Sequence, residues 1–193
     1  MIGLSEKANS TNINAIEPNS HNKESLENLG ISVLGDFYDT RPYDLSSNGI
    51  ILMSHVLEHF YSPKEVLKKL YKETNDSVKV IILVPSIRNY KNYMPLHTYW
   101  FRMVHLFYFS FETIGNLLKI TGWRIIKSYD ENGELAIVAE KSSLDYKKID
   151  NFYNQTYDDY EKYKKKINYP KYYFKAIINK LKVIVKRFFY VSK

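Results

Sequence analysis

Three titratable side chains follow directly after an apolar run in the sequence. The run spans residues 50–53, and His55, Glu58 and His59 come next. An imidazole exchanges protons near neutral pH, so His55 is a candidate general base. Two histidines and a carboxylate are also ligand types for a divalent metal ion, but this spacing is common where a histidine such as His59 only packs or caps. We therefore predict proton transfer by His55 and no metal.

The elements around these side chains are predicted to be a strand, a loop, a helix and a second strand. The apolar run 50–53 is bounded by polar residues, which is typical of a strand buried on both faces of a parallel sheet. Ser62 and Pro63 are favoured at a helix N-cap and first turn, and the apolar spacing after them predicts a helix to about residue 73. Residues 78–84 form a second buried strand. The titratable cluster thus follows the carboxyl end of a strand, where open α/β sheets bind ligands.

Two shorter strands are expected before this unit, and each ends near a carboxylate. The first, 12–17, ends in Glu17, and the second, 31–34, is followed closely by Asp36. A helix over about 20–29 joins the two strands. From these residues alone, the simpler interpretation is that both carboxylates cap the turns that follow them.

Beyond the second buried strand we expect a loop, a helix and a hairpin. Residues 87–109 are rich in aromatic and basic side chains, which is typical of a lid or substrate wall but also of a small core beneath the loop. Both interpretations stay open. Ser110 begins a helix that ends before Gly122. Asn132-Gly133 between two strand-like runs is a strong hairpin signal, so the sheet is expected to end in an antiparallel pair.

Three phrases of the sequence resemble the class I S-adenosylmethionine (SAM)-dependent methyltransferases. Ser54-His-Val-Leu-Glu-His-Phe-Tyr-Ser-Pro63 and Val80-Ile-Ile-Leu-Val-Pro-Ser86 resemble strand four, the helix after it and strand five of that family. They are most similar to the small-molecule subgroup with "LEH…P" and "VP" signatures. The phrase from Leu106 to Trp123 resembles the helix before strand six in the same subgroup. The resemblance covers about residues 14–141.

The resemblance implies a Rossmann-like α/β sheet with strand order 3-2-1-4-5-7-6 and SAM as the cofactor. It implies that Glu17 binds both ribose hydroxyls, for which a two-oxygen acceptor is suited. Asp36 would contact the adenine amino group, with Phe37 as a stacking face beside it. Ser54 and His55 would line the cofactor site at the tip of strand four.

The resemblance also implies where the acceptor binds. His55 at the strand-four tip would remove a proton from a hydroxyl acceptor, which makes it the predicted catalytic residue. In the family the loop after strand five closes over the acceptor. His97, Tyr99 and His105 are therefore the predicted substrate-binding residues.

The glycine-rich turn of the family, D-x-G-x-G-x-G, has no counterpart in this sequence. Glycine there lets the backbone approach the methionine end of the cofactor, but no two of the seven glycines here are separated by a single residue. Strand one, which precedes that turn in the family, is missing with it. We therefore expect an N-terminally truncated chain whose 193 residues alone bind SAM weakly or not at all.

The resemblance implies a partial methyltransferase domain over 1–141, and charge and aromatic content predict a basic, tyrosine-rich helical tail over 142–193. Residues 141–193 hold 14 Lys+Arg against five Asp+Glu, whereas residues 1–140 hold 14 against 16. A basic amphipathic helix over 171–190 suits an anionic membrane surface, and packing of its apolar stripe on the sheet is the alternative. Nucleic acid is not expected as a partner because no recognition motif accompanies the basic residues.

The chain contains no cysteine and no apolar run of about 18 residues. The first absence excludes disulfides and thiolate metal sites, and the second excludes a membrane-spanning helix. We expect a cytoplasmic protein, with peripheral contact at the inner membrane face through the tail. The expected function is SAM-dependent methyl transfer to a small-molecule acceptor, a sugar or a lipid-linked intermediate. The alternative is a non-catalytic methyltransferase remnant that acts as a binding or membrane-association module.

Overall fold

A computed structural model describes residues 13–47, 49–88, 104–131, 133–142, 151–166, 169–171, 173–178 and 181. The chain divides into two compact units, 1–46 and 47–193. The sequence-based division at residue 141 follows charge and family resemblance rather than compactness, and it stays a prediction.

The first unit is a small parallel βαβ unit. It contains β1 (Asn14–Ile16), α1 (Ser20–Asn28) and β2 (Ser32–Gly35), and the two strands pair in parallel. Asn19 caps α1, because its side chain accepts a hydrogen bond from the backbone N–H of His21. The helix ends as predicted, since its C-cap residue is followed by a glycine with a left-handed φ of 75°.

The second unit contains a four-stranded sheet, with helices between its strands and after the last strand. Its elements are β3 (Ile50–Ser54), a 3₁₀ turn (Leu57–His59), α2 (Pro63–Glu73), β4 (Lys79–Pro85), α3 (Phe111–Ile120), β5 (Trp123–Glu131), β6 (Glu134–Lys141) and α4 (Tyr153–Lys166). The strand order is β3-β4-β6-β5, with β3 and β4 parallel and the other two pairs antiparallel.

The strand pairings confirm the predicted α/β fold. The order β3-β4-β6-β5 corresponds to strands 4-5-7-6 of the resembled sheet, and the pair β1-β2 corresponds to strands 2 and 3. The terminal antiparallel hairpin is also confirmed, with Gly133 at a φ of 84° in its turn.

The helices predicted over about 20–29, from Pro63 to about residue 73 and from Ser110 to before Gly122 start and stop within one residue of α1, α2 and α3. The Ser62 side chain makes no capping hydrogen bond at the start of α2, in contrast to the prediction. The tail helix predicted over 171–190 lies partly outside the described residues.

The prediction that β3 is buried on both faces is wrong. Ile50 is 62% exposed, and Ile51 and Leu52 are only half-buried. Among the described residues β3 pairs with β4 alone, so it forms an edge of the four-stranded sheet. Because β4 has a neighbour on each side, Val80 and Ile82 are fully buried as expected.

Trp123, the first residue of β5, joins the sheet to α2. Its side chain is 2% exposed, and its indole Nε1–H donates a hydrogen bond to the backbone oxygen of Leu67 at 3.1 Å. The Tyr71 ring meets the indole edge-on at 5.7 Å between centroids. Gly122 has a φ of 90°, and a Cβ there would lie 2.6 Å from the Tyr71 ring, so glycine is required at this turn.

The start of α3 confirms the predicted helix cap. Ser110 and Thr113 form a capping box, in which each side-chain oxygen accepts a hydrogen bond from the other residue's backbone N–H. Arg88 pairs with Glu112 in the first turn of α3 and, at 3.0 Å, with Asp159 of α4. These ion pairs attach the first helix of the tail to α3 and to the segment just after β4.

No helix among the described residues combines the length and the apolar character needed to cross a bilayer.

Candidate active site

His55 follows β3 in an unusual backbone conformation. Its φ of 51° lies in the left-handed region, and its backbone N–H donates to the oxygen of Leu83 in β4 at 2.8 Å. A non-glycine residue in this region is strained, although histidine tolerates it better than most residues do, and such strain clusters at functional sites. The hydrogen bond to β4 therefore holds His55 in a turn that ends the strand abruptly.

The imidazole of His55 pairs with a carboxylate that the sequence did not single out. Its Nε2 atom lies 3.0 Å from Oε2 of Glu134, the first residue of β6. If Nε2–H donates to this carboxylate, the neutral ring keeps its acceptor lone pair on Nδ1. A histidine that is oriented by a carboxylate is the arrangement expected of a general base.

The position of Glu134 depends on the strand register. It lies opposite Pro85 at the carboxyl end of β4, next to the turn at His55. The sequence signals that could have found it were the Asn132-Gly133 hairpin, which predicts where β6 starts, and the resembled strand order, which places β6 beside β4. Neither signal gives the register.

Glu58 lies in the 3₁₀ turn and is 1% exposed. Among the described residues, neither of its carboxylate oxygens accepts a hydrogen bond. The nearest cationic candidates are Nδ1 of His55 at 3.6 Å and Nε2 of His59 at 3.9 Å, both measured to Oε1. The backbone oxygen of Glu58 accepts from the N–H groups of Leu106 and Phe107 at 2.9 and 3.2 Å, which fixes the end of the loop before α3.

His59 contacts the end of the same loop. Its Nδ1 lies 2.7 Å from the backbone oxygen of Val104, and its ring meets the ring of His105 edge-on at 4.9 Å between centroids. Glu58, His59 and His105 each bring a potential ligand atom within 4.8 Å of the other two. The structure thus adds His105 to the predicted cluster.

Of the other residues predicted for this site, the structure describes Ser54 and His105 but not His97 and Tyr99. Ser54 is exposed at the end of β3, beside His55. His105 is half-buried against His59. His97 and Tyr99 lie outside the described residues, as does most of the predicted lid. Binding of cofactor or acceptor by these residues stays a prediction.

In the first unit, Glu17 follows β1 as expected. Its backbone N–H donates to the oxygen of Gly35 at 3.0 Å, and its Oε1 accepts from the Asn19 N–H at 2.9 Å and from Asn22 Nδ2 at 3.3 Å. The predicted capping role therefore accounts for one carboxylate oxygen of Glu17, Oε1. Among the described residues, no hydrogen bond engages Oε2, so this oxygen has capacity for a ligand.

Asp36 and Phe37 follow β2. Asp36 accepts a hydrogen bond from Lys23 Nζ at 2.5 Å, and its side chain is 60% exposed. Phe37 is 53% exposed, which leaves an aromatic face open to solvent. At the ends of its two strands the first unit thus presents the hydrogen-bonded carboxylate of Glu17, the ion-paired carboxylate of Asp36 and the exposed ring of Phe37.

Comparison with known proteins is consistent with this geometry. A family model described as "Methyltransferase domain" matches residues 5–128. No curated protein matches the sequence. Among solved structures, the chain is similar to a SAM-dependent methyltransferase from Thermotoga maritima, with a TM-score of 0.56 and 18% identity over 67% of this chain and 73% of that one.

Two longer proteins have similar structures. One is the mitomycin 7-O-methyltransferase MmcR, with a TM-score of 0.51 and 16% identity over 67% of this chain and 41% of that one. The other is LepI in complex with SAM, with a TM-score of 0.58 and 13% identity over 73% and 39%. At these identities the likeness is one of fold. The chain spans about two fifths of the length of each of these two structures.

Proposed function

Because this chain belongs to the methyltransferase-domain family, whose model matches residues 5–128, we propose that it acts in SAM-dependent methyl transfer to a small-molecule acceptor. A sugar or a lipid-linked intermediate is the proposed acceptor class. When bound, SAM supplies an activated methyl group that moves to the acceptor by direct displacement. The protein then has to align the reactants and, for a hydroxyl acceptor, remove a proton.

The observation that carries this proposal is the pair of His55 and Glu134 at the carboxyl end of β3. Glu134 accepts the Nε2–H of His55 at 3.0 Å, which directs the acceptor lone pair to Nδ1. That nitrogen takes the proton of the acceptor hydroxyl. The carboxylate of Glu134 then stabilises the imidazolium that forms.

The residues of the first unit fit the adenosine part of SAM. The Glu17 carboxylate is half-buried and held through Oε1, so its second oxygen is preorganised to accept hydrogen bonds from a ribose diol. The exposed Phe37 ring offers a face on which adenine can stack. For the methionine end, the described chain offers no glycine turn, so the expected affinity is weak.

Glu17→Ala tests the cofactor proposal. The wild-type chain is expected to bind SAM weakly, and the variant to raise the Kd at least about tenfold, because hydrogen bonds to a charged acceptor contribute about 1.5–3 kcal/mol each. Calorimetric titration with SAM gives both constants. Glu27→Ala on the exposed surface of α1 is the matched control and should leave the Kd unchanged.

Three outcomes of this titration would count against parts of the proposal. An unchanged Kd in Glu17→Ala would remove Glu17 from the cofactor site. Micromolar binding by the wild-type chain would show that another segment replaces the glycine turn. No detectable binding even at millimolar SAM would contradict SAM use by the 193 residues themselves.

An exposed apolar stripe in the tail supports the second candidate function. Phe174, Ile177 and Leu181 follow helical spacing and are 67%, 58% and 54% exposed, so they are not packed on the sheet. Lys171 and Lys175 lie in the same segment. We propose that this segment contacts an anionic membrane surface, with its lysines at the headgroups and its apolar side chains below them. As the alternative to catalysis, the chain would then be a methyltransferase remnant that serves as a membrane-association module.

Vesicle sedimentation tests the membrane proposal. The chain should sediment with phosphatidylcholine vesicles that contain phosphatidylglycerol, less so at high salt, and little with phosphatidylcholine alone. The double variant Phe174→Ser/Ile177→Ser should lose most of this binding because it removes the apolar contribution. Tyr153→Ser/Tyr157→Ser, at exposed aromatic residues of α4, is the control. Equal sedimentation of both double variants and the wild type would contradict the proposal.

A further inference from the structure

The buried carboxylate of Glu58 has imidazole nitrogens of His55 and His59 at 3.6 and 3.9 Å, but no hydrogen-bonded partner among the described residues. It is 1% exposed, and neither oxygen accepts a hydrogen bond from any described residue. Buried charges are normally paired, hydrogen-bonded or bound to a metal, because desolvation of a lone charge is strongly unfavourable. Glu58 therefore requires a positive partner close to its two oxygens.

The tautomer of His59 indicates what that partner is. Its Nδ1 lies 2.7 Å from the backbone oxygen of Val104, and because a carbonyl oxygen can only accept, Nδ1 carries the hydrogen. In the neutral ring the lone pair is then on Nε2, which lies 3.9 Å from Oε1 of Glu58. Two lone pairs thus face each other across a gap too long for a hydrogen bond. A cation between them would satisfy both.

His59 also has the outer contact typical of a metal-bound histidine. Such histidines usually donate the other ring N–H to a carboxylate or a backbone carbonyl, which fixes the tautomer and the ring orientation. The bond from Nδ1 of His59 to Val104 has this form. The backbone N–H groups of Leu106 and Phe107 donate hydrogen bonds to the backbone oxygen of Glu58, which fixes the position of Glu58 as well.

His105 supplies a third potential ligand. One nitrogen of its ring lies within 4.8 Å of the ligand atoms of both Glu58 and His59. His55 Nδ1 also lies 3.6 Å from Oε1 of Glu58, but this nitrogen is the one proposed to take the acceptor proton, so His55 is not counted in this set.

We propose that Glu58, His59 and His105 form a binding site for a divalent transition-metal ion of the Zn²⁺ type. Two imidazoles and one carboxylate are ligands that Zn²⁺ and its first-row neighbours accept, and three protein ligands leave at least one position open. The sequence analysis weighed His55, Glu58 and His59 as metal ligands and predicted no metal, because that spacing is common without one. It did not consider His105 in this role. The site does not depend on methyl transfer, and no step of that reaction is assigned to the ion.

Metal titration of the 193-residue chain tests the site. After treatment with EDTA and dialysis, calorimetry with ZnCl₂ should show one equivalent bound, and the ion should raise the Tm. Addition of CoCl₂ should give visible ligand-field absorption. Glu58→Gln and His105→Ala should each weaken Zn²⁺ binding at least about tenfold and remove the rise in Tm.

Matched controls separate this site from adventitious binding. Glu65→Gln changes an exposed glutamate of α2, and His21→Ala removes an exposed histidine of α1, so both should bind Zn²⁺ like the wild type. If Glu58→Gln fails to fold, the half-buried position of His105 keeps the comparison of His105→Ala with His21→Ala decisive. Equal Zn²⁺ binding by His105→Ala and His21→Ala would overturn the proposal. So would the absence of binding by the wild type, which would assign a proton rather than a metal to the gap.

Discussion

His55→Ala is expected to lower the turnover of methyl transfer to a hydroxyl acceptor by about 10²–10⁴-fold, the usual contribution of a general base. The Kd for SAM should change little, since proton removal acts on the acceptor. Loss of turnover without loss of cofactor affinity is the signature of an interaction made in the transition state. Release of S-adenosylhomocysteine gives the turnover, and calorimetry gives the affinity.

Two further variants make this result specific. His55→Asn should lower turnover as much as His55→Ala, but with less effect on stability, because asparagine tolerates the φ of 51° better than alanine does. His21→Ala, at an exposed histidine of α1, should keep full turnover. If His55→Ala also kept full turnover on the true acceptor, the base would lie elsewhere or none would be needed.

Trp123→Ala is expected to lower the free energy of unfolding by about 3–5 kcal/mol, the range for truncation of a buried aromatic side chain. The indole is 2% exposed between β5 and α2, so its removal leaves a cavity beside Tyr71 and removes the hydrogen bond to the Leu67 oxygen. Urea unfolding followed by circular dichroism measures the change without relying on tryptophan fluorescence.

The size of the loss can be divided between packing and hydrogen bonding. Trp123→Phe keeps most of the ring contacts and should lose about 1–2 kcal/mol, mainly through the missing Nε1–H donor. Ile126→Ala, at a residue of the same strand that is 47% exposed, should lose less than Trp123→Phe. A loss below about 1 kcal/mol in Trp123→Ala would show that the indole does not hold β5 to α2.

The local features of this chain could be predicted because neighbouring residues determine them. The capping box at Ser110 and the glycine after α1 are patterns of three or four residues, and both appear in the structure as expected. The hairpin at Gly133 is equally local. The family phrases added what composition cannot supply, namely the expected cofactor and the expected role of Glu17.

Only one residue of the candidate catalytic pair, His55, could be predicted from the sequence. His55 follows a strand and lies within the phrase from Ser54 to Pro63 that resembles the family. Glu134 lies 79 residues further along the chain. Its approach to His55 depends on the antiparallel register of β6 against β4. Nothing in the sequence near either residue specifies that register, since it is set by how two distant apolar strands bury their faces.

The sequence alone determined the order of strands and helices, the cap of α3, the hairpin and the family to which the chain belongs, because periodicity and short motifs act through neighbours along the chain. Only the tertiary structure decided that β3 is exposed at Ile50, since burial depends on how many strands flank it. Tertiary packing also buries Glu58 and sets His105 against His59. These last contacts join two separate loops, and their geometry follows from the sheet and its connections rather than from residue spacing.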